Sequence, residues 1–432
     1  MLQPIEDGLI GNVTATDTHL AIDAVFRIER AKLIAGLARM VRDVGLAEEL
    51  AQDALVAALE QWPRSGIPDK PGAWLMAAAK HRAIDRLRRA KLIERKHAEL
   101  GRELEAEGEG ATPDFDAAVD DDIGDDLLRL CHPVLSTEAR VALTLRLLGG
   151  LTTEEIARGF LVPEPTIAQR IVRAKRTLAE KRVPFEVPRG ADRDARLSSV
   201  LEVIYLVFNE GYSATAGDDW IRPQMCEEAL RLGRILAELA RDEPEVHGLV
   251  ALMEIQASRL KARVGPSGEP ILLLDQDRAR WDRLLIRRGL KALERAEGLG
   301  GVRGPYVLQA AIAACHARAR TGGETEWARI VGLYGALAEL APSPVVELNR
   351  AVARGMLLGP AAGLEIVDAL ASEPSLKSYH LLPSVRGDLL KKLGRFHEAR
   401  AEFERAAALT RNERERRLLL DRAAACVRHG AD

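Results

Sequence analysis

Charge in the first 185 residues of this chain is separated into three segments of alternating sign. Residues 75–97 carry eight Lys or Arg and two acids (net +6), and residues 164–182 carry six Lys or Arg and two acids (net +4). Between them, residues 98–126 carry twelve acids and one Arg, a net charge of −11, although the whole chain is only −3. Such an acidic segment cannot bury a core, so the chain is predicted to fold as separate domains on either side of it. Two cationic surfaces on one tether predict a protein that holds DNA at two places.

The composition favours an all-α fold. Aromatic residues are only 4% of the 432 residues, whereas strands are enriched in aromatic and β-branched side chains. We find no run of about 18 apolar residues and no basic N-terminal segment, so we expect no membrane span, no signal peptide and a cytoplasmic location. The four cysteines lie far apart without a C-x-x-C pair, so we expect reduced thiols and no metal site.

The N-terminal segment, residues 1–97, is predicted to be a small helical domain. Apolar residues recur at helical spacing over residues 20–62, with Gly45 as the predicted break between two helices. A loop rich in Pro and Gly follows, and a third helix is predicted from about Ala73 to about His97. Residues 98–124 lack periodicity and are predicted to form a flexible acidic linker.

Residues 125–184 contain the pattern of a helix-turn-helix. The S/T-x-x-E capping box at Thr152–Glu155 predicts the start of a short helix over residues 153–160. Pro165 fits the first turn of a second helix, where its missing N–H does no harm. Residues 190–432 are predicted to be helical throughout, and Gly387, Ala399 and Phe403 fall at the spacings of a tetratricopeptide helix pair.

The second helix of the helix-turn-helix is the first candidate DNA-binding element. With Ile167 and Ile171 facing inward, the other face would present polar and basic groups that can read base edges or hold phosphates. The predicted contacts are Thr166, Gln169, Arg170, Arg173, Lys175 and Arg176. The alternative is a basic, solvated helix at a domain surface.

The helix over residues 75–97 is the second candidate. Leu75 and Ala79 can face inward and leave a cationic face exposed. A basic helix alone is usually only solvated, and Trp74 alone would most simply be a core anchor; the sharper alternative is a surface that stacks unpaired bases. The candidate residues are Trp74, Lys80, His81, Arg82, Arg86, Arg88 and Arg89.

Three motifs, taken together, resemble the extracytoplasmic-function sigma factors of the sigma-70 superfamily. They are residues 47–55 (AEELAQDAL), residues 73–89 (AWLMAAAKHRAIDRLRR) and residues 152–175 (TTEEIA followed by VPEPTIAQRIVRAK). Two further segments, residues 205–213 (YLVFNEGYS) and 228–234 (EALRLGR), resemble the subgroup that has a long tetratricopeptide-like extension. The resemblance implies two small helical sigma domains, the second a helix-turn-helix, joined by the linker and followed by the extension.

The resemblance also implies partners and roles. Residues 1–97 would bind core RNA polymerase and the −10 element, with the β′ clamp contacting Glu48, Glu49, Gln52 and Asp53, while residues 125–184 would read the −35 element and meet the β flap. The acidic linker would occupy the RNA path of the polymerase, unless it is only a tether. The extension would regulate activity through intramolecular contacts with the sigma domains. No cofactor is implied.

The sequence departs from the family at two places. His81 stands where the family often has Asn, and the stretch before Cys131 is about four residues, or one helical turn, shorter than usual. Two other classes remain as alternatives. One is a helix-turn-helix activator with tetratricopeptide repeats, for which residues 20–97 would have no evident use. The other is a repeat scaffold with a vestigial DNA-binding half. An enzyme is not expected, since we find no P-loop, no G-x-G-x-x-G after a strand and no H-E-x-x-H.

Overall fold

The computed structural model describes residues 15–41, 43–100, 131–149, 151–160, 162–181, 191–301 and 304–429. As predicted, the described chain is all-α apart from one pair of two-residue strands. It divides into two compact units. The first comprises the described residues within 1–156 and 164–197, and the second comprises those within 157–163 and 198–432.

The N-terminal helices begin and end where local sequence signals allow. They are α1 (Ala15–Val41), α2 (Val44–Ser65) and α3 (Pro71–Leu100). The prediction that Gly45 separates the first two helices is wrong, because Gly45 lies in the first turn of α2. Asp43 is the N-cap, and its carboxylate accepts a hydrogen bond of 2.9 Å from the backbone N–H of Leu46.

The third helix is longer than predicted, since it continues through residues 98–100 and so enters the segment assigned to the linker. The prediction of a flexible linker over the remaining residues up to 124 lies outside the described part of the chain. So does the start of the predicted helix-turn-helix domain, up to residue 130.

The helix-turn-helix segment consists of α4 (Thr137–Leu147), α5 (Thr153–Phe160) and α6 (Glu164–Glu180). The predicted capping box is confirmed. The hydroxyl of Thr152 accepts from the backbone N–H of Glu155 at 3.1 Å, and the carboxylate of Glu155 accepts from the N–H of Thr152 at 2.7 Å. Ile156, Ile167 and Ile171 are buried, as the apolar spacing predicts.

The C-terminal part of the chain is a succession of short helices, most of them packed against their neighbours in sequence. Those helices are α7 (Ala191–Tyr212), α8 (Pro223–Leu239), α9 (Pro244–Ala257), α10 (Arg283–Gly298), α11 (Pro305–Arg318), α12 (Trp327–Leu340), α13 (Pro344–Leu358), α14 (Pro360–Leu370), α15 (Leu381–Lys392), α16 (Phe396–Leu409) and α17 (Glu413–His429). This serial packing of helix pairs is the tetratricopeptide-like arrangement that the sequence predicts.

The last helix pairs show why small residues stand where they do. Phe403 on α16 is fully buried, and its ring lies against Gly387 of α15. A Cβ added at Gly387 would come within 2.9 Å of the Phe403 ring and 3.2 Å of the carbonyl oxygen of Ala399. Gly387 therefore permits the close approach of α15 and α16 that the sequence predicts.

Two distant segments of the C-terminal unit are joined by the strand pair. Strands β1 (Ala216–Gly217) and β2 (Arg411–Asn412) run parallel. Asn412 is fully buried, and its side-chain amide donates hydrogen bonds to the carbonyl oxygens of Ala214 at 3.1 Å and Asp219 at 2.8 Å. The loop after α7 is thereby fixed to the segment that precedes the last helix.

Candidate nucleic-acid interface

The second helix of the helix-turn-helix, α6, has a polar outer face. Gln169 and Arg173 are exposed, while Thr166 and Arg170 are half-buried beside them. These are the side chains predicted to meet base edges, and the structure brings them onto one helix face at i, i+3, i+4 and i+7 spacing. Arg176 is exposed and forms an ion pair of 2.6 Å with Glu180 one turn later.

Lys175 is placed differently from its neighbours. Its side chain is only 22% exposed, and its ammonium group donates a hydrogen bond to Glu48 of α2, 127 residues earlier in the chain. A residue predicted to hold DNA phosphate is thus bound to a residue predicted to hold polymerase. In this arrangement Lys175 does not present a free charge to DNA.

Glu48 is the centre of a buried ion cluster in the N-terminal unit. Its carboxylate also accepts hydrogen bonds from Arg30 of α1 at 2.9 Å and from Arg146 of α4 at 3.1 Å. Burial alone would raise the pKa of Glu48, but the hydrogen bond from Lys175 and the charges of Lys175, Arg146 and Arg30 hold the pKa below its ordinary value. One carboxylate therefore joins three cations from α1, α4 and α6. Hereafter these four residues are called the Glu48 cluster.

The cluster corrects one expectation about the first domain. Glu48 was expected on an exposed acidic face together with Glu49, Gln52 and Asp53, yet only 8% of its surface is exposed. It faces the interior because it lies four residues after the buried Val44 and three before the buried Ala51, on the same face of α2. Glu49 is exposed, and Gln52 and Asp53 are half-buried, so these three remain accessible in part.

The basic face of α3 also meets the acidic face of α2. Arg86 donates a hydrogen bond to Glu49 at 2.6 Å and lies 3.5 Å from a carboxylate oxygen of Asp53. The hydrogen bond with Glu49 raises the pKa of Arg86, so Arg86 stays fully charged. Once more a predicted DNA contact is paired with predicted polymerase contacts.

The remaining candidates on α3 divide into anchored and exposed side chains. Trp74 is half-buried, and its ring packs edge-on against Trp62, with 5.2 Å between ring centroids. Leu75 and Ala79 face inward as predicted. His81 and Arg88 are exposed, Lys80 and Arg82 are half-buried, and the side chain of Arg89 lies outside the described part of the structure.

Sequence reasoning missed Arg30 and Arg146 as members of this site. Arg30 has a recognisable signal, because it stands four residues after Phe26 and three before Leu33, on the apolar stripe of α1. A charged residue at a buried helical position indicates a buried partner. Nothing in the local sequence identifies that partner as Glu48.

The described residues give no support for a metal site or a membrane span. Among them there is no cluster of three His, Cys, Asp or Glu side chains that could hold a metal ion. Within the same part of the chain, no helix is long and apolar enough to cross a membrane. All four cysteines are buried and lie outside any disulfide.

Three known protein families each match one part of the chain. Sigma-70 region 2 matches residues 26–93, sigma-70 region 4 matches residues 125–178, and a family of unknown function (DUF6596) matches residues 196–297. These regions cover α2 and most of α3, nearly all of the helix-turn-helix, and most of the first four C-terminal helices, α7 to α10.

The relatives of this chain fall into two groups. An uncharacterized protein of Rhizobium meliloti is 43% identical over 95% of this chain and 97% of its own length. The probable ECF RNA polymerase sigma factor SigI of Mycobacterium tuberculosis is 27% identical over 39% of this chain and 58% of its own length. The ECF RNA polymerase sigma factor SigK of a Mycobacterium species is 28% identical over 38% of this chain and 84% of its own length.

Among solved structures, yeast Tom70 aligns over 96% of this chain and 86% of its own, with 12% identity and a TM-score of 0.31. A similarity that weak supports no inference about fold or function. The family assignment depends instead on the two sigma-70 regions, on the SigI and SigK relatives and on the confirmed helix-turn-helix. The chain belongs to the extracytoplasmic-function sigma factors of the sigma-70 superfamily, and it carries a C-terminal helical extension.

Proposed function

We propose that this sigma factor binds the β′ clamp of core RNA polymerase through α2 and the β flap through its helix-turn-helix domain, and that polymerase must open the Glu48 cluster to do so. Promoter-specific initiation would then use α3 at the −10 element and α6 at the −35 element. The process belongs in the cytoplasm, where polymerase works. The extension would regulate this activity through contacts with the sigma domains.

The observation that carries the proposal is the hydrogen bond between Glu48 and Lys175. A sigma factor bound to a promoter must hold its two DNA-binding domains apart along the duplex. The Glu48 cluster instead ties α2 to α4 and α6, so the contact supports a closed form of the free protein. The same bond occupies Lys175, which the open form would offer to a phosphate.

The closed form has a clear energetic basis. A buried carboxylate is stable only when it is paired, and Glu48 has three cationic partners that are themselves desolvated. Opening exposes all four groups to water and to new partners. Phosphates can replace Glu48 at Lys175, and polymerase can contact the exposed face of α2. The equilibrium between the two forms therefore depends on polymerase and DNA together.

A distance measurement tests this proposal. Cysteines introduced at the exposed positions Glu60 on α2 and Lys181 after α6 can carry a fluorophore pair, because the native cysteines are buried. Adding core polymerase should lengthen the distance between the labels. The variant Glu48→Gln should lengthen it in part without polymerase. An unchanged distance on polymerase binding would rule out the opening step.

Regulation by the extension is tested by a chain that lacks residues 191–432. Its helicity should show that the sigma domains still fold, and its transcription from a cognate promoter should differ from that of the full chain. The same transcription yield from both chains, at equal occupancy of polymerase, would argue against a regulatory role.

A further inference from the structure

Three arginines and two aromatic rings alternate in the C-terminal unit. The guanidinium carbon of Arg263 lies 3.8 Å from the ring centroid of Tyr212, and that of Arg259 lies 5.7 Å from the same centroid. On the next ring, Arg259 and Arg278 lie 5.8 Å and 4.8 Å from the centroid of Trp281. We call these five residues the arginine–aromatic cluster, and all of them fall within the segment matched by the family of unknown function.

Arg259 has the fewest hydrogen-bond partners of the three arginines in the cluster. It is 8% exposed, and its side chain forms no hydrogen bond or ion pair with any described residue. Its Nε is buried without an acceptor. Cation–π contact offsets part of the desolvation cost, but such contacts contribute only about 0.5–2 kcal/mol, which is less than the cost of burying a bare charge.

Neither of the other two arginines forms a direct ion pair with a described carboxylate, although the charge of Glu324 acts on Arg278. Arg263 donates one hydrogen bond, to the carbonyl oxygen of Tyr212 at 3.1 Å, and its Nε has no acceptor. Arg278 donates to the carbonyl oxygens of His316 at 2.5 Å and Ala319 at 2.8 Å. Carbonyl oxygens satisfy donors but do not neutralise charge, so no arginine of the cluster has a directly bonded anion among the described residues.

Nearby groups add further hydrogen-bond donors. The Nε1 atoms of Trp220 and Trp281 are buried without partners in the described part of the chain, and the Tyr212 hydroxyl is buried near Arg263. Burial, followed by the charges of Arg259 and Arg278, lowers the pKa of His316 to about 4, so that imidazole is neutral at physiological pH. Burial likewise lowers the pKa of Arg263 and Arg278, and the charge of Arg259 adds to both shifts.

Two half-buried arginines in the same unit do have carboxylate partners. Arg222 pairs with Glu210, and Arg234 pairs with Glu254 at 2.9 Å. The arginine–aromatic cluster contains no such ion pair among the described residues. We propose that the arginine–aromatic cluster is a binding site for a small oxyanion, a free phosphate or the carboxylate group of a metabolite.

The chemistry of the cluster selects this class of ligand. Guanidinium groups present a planar fork of N–H donors that matches phosphate and carboxylate oxygens, and both of these anions supply several acceptors at once. The unpartnered indole N–H of Trp220 offers a further donor beside the half-buried Arg263. A bound oxyanion would supply the missing negative charge and acceptors.

Thermal unfolding of the full chain tests this site independently of polymerase. Inorganic phosphate and succinate should each be titrated against chloride at matched ionic strength. At least one of them should raise the melting temperature saturably, by about 2–6 °C. The variant Arg259→Met keeps the apolar stem, should be more stable than the native chain without ligand, and should lose the anion-dependent rise. Arg287→Met, at an exposed position on α10, should keep that rise.

Calorimetric titration of the native chain with the same anion provides a second measurement. The site would be supported if the affinity for the anion fell at least tenfold in Arg259→Met or in Arg263→Met. The affinity of Arg287→Met should be unchanged. An absence of saturable binding, or an equal rise in melting temperature in Arg259→Met and in the native chain, would overturn it. Because polymerase takes no part, these results are separate from the outcome for transcription.

Discussion

Lys175 of the helix-turn-helix donates a hydrogen bond to Glu48 of the preceding sigma domain, and each of these residues thereby loses its freedom to contact another macromolecule. One was predicted to hold DNA and the other to hold polymerase. The contact suggests a simple link between the two activities, because whatever releases Glu48 also releases Lys175.

Replacing Glu48 with Gln should destabilise the free protein. The change leaves Arg30, Arg146 and Lys175 without their shared carboxylate, and removal of one partner from a buried ion pair costs about 3–5 kcal/mol. The free energy of unfolding, from denaturant titration of the native and variant chains, measures this loss. Glu180→Gln removes an exposed ion pair on α6 and should change stability little. Equal stability of Glu48→Gln and the native chain would contradict the cluster.

Stability should also depend on pH through Glu48. Because its pKa is lower in the folded state, the cluster contributes its full stability above the ordinary Glu value of about 4.3. That contribution is lost progressively as the pH falls through the folded value. In urea titrations between pH 6 and pH 3, the free energy of unfolding should therefore fall more steeply with decreasing pH for the native chain than for Glu48→Gln. Parallel curves for the two chains would mean that Glu48 titrates without coupling to folding.

Arg170→Ala and Arg173→Ala should each weaken binding to the upstream promoter element. A bidentate contact from arginine to a guanine edge contributes about 1–3 kcal/mol, so affinity should fall by about 5- to 150-fold at a contacted base. Footprinting and titration of the polymerase holoenzyme on promoter DNA measure the effect. The same substitutions should leave affinity for core polymerase unaltered. Unchanged footprints would remove α6 as the reading helix.

Gly387→Ala should destabilise the C-terminal unit, because the added methyl group would come within 2.9 Å of the Phe403 ring. Forcing such a contact in a packed core costs about 1–3 kcal/mol. Gly332 on α12 is the matched control, since nothing lies within 4 Å of an added Cβ there. Gly332→Ala should raise stability by up to about 1 kcal/mol through helix propensity alone. Similar melting temperatures for both variants would refute the close approach of α15 and α16.

Local signals in the sequence predict much of this molecule. The capping box at Thr152 and Glu155 fixes the start of α5, and the spacing of Gly387 and Phe403 fixes the last helix pairs, because each depends on residues close in sequence. The predicted helix break at Gly45 was wrong because the cap at Asp43 determines where α2 begins. A glycine is tolerated within the first turn of that helix.

The candidate site was predicted less completely. The exposed residues of α6 and α3 follow from helical spacing, but the Glu48 cluster joins positions that are 18, 98 and 127 residues apart. No local pattern encodes such a contact. The same holds for the arginine–aromatic cluster, whose members come from separate turns of the C-terminal unit and whose missing carboxylate is evident only once their burial is known.

Transcription with purified components tests the central claim most directly. The full chain should be added to core RNA polymerase with a library of promoter fragments, and the start sites of the transcripts should be sequenced. We expect transcripts that begin at defined positions downstream of shared −35 and −10 elements, and that disappear with Arg170→Ala and Arg173→Ala combined. No association with core polymerase, or transcripts identical to those of core alone, would contradict the assignment of this protein as a promoter-recognising sigma factor.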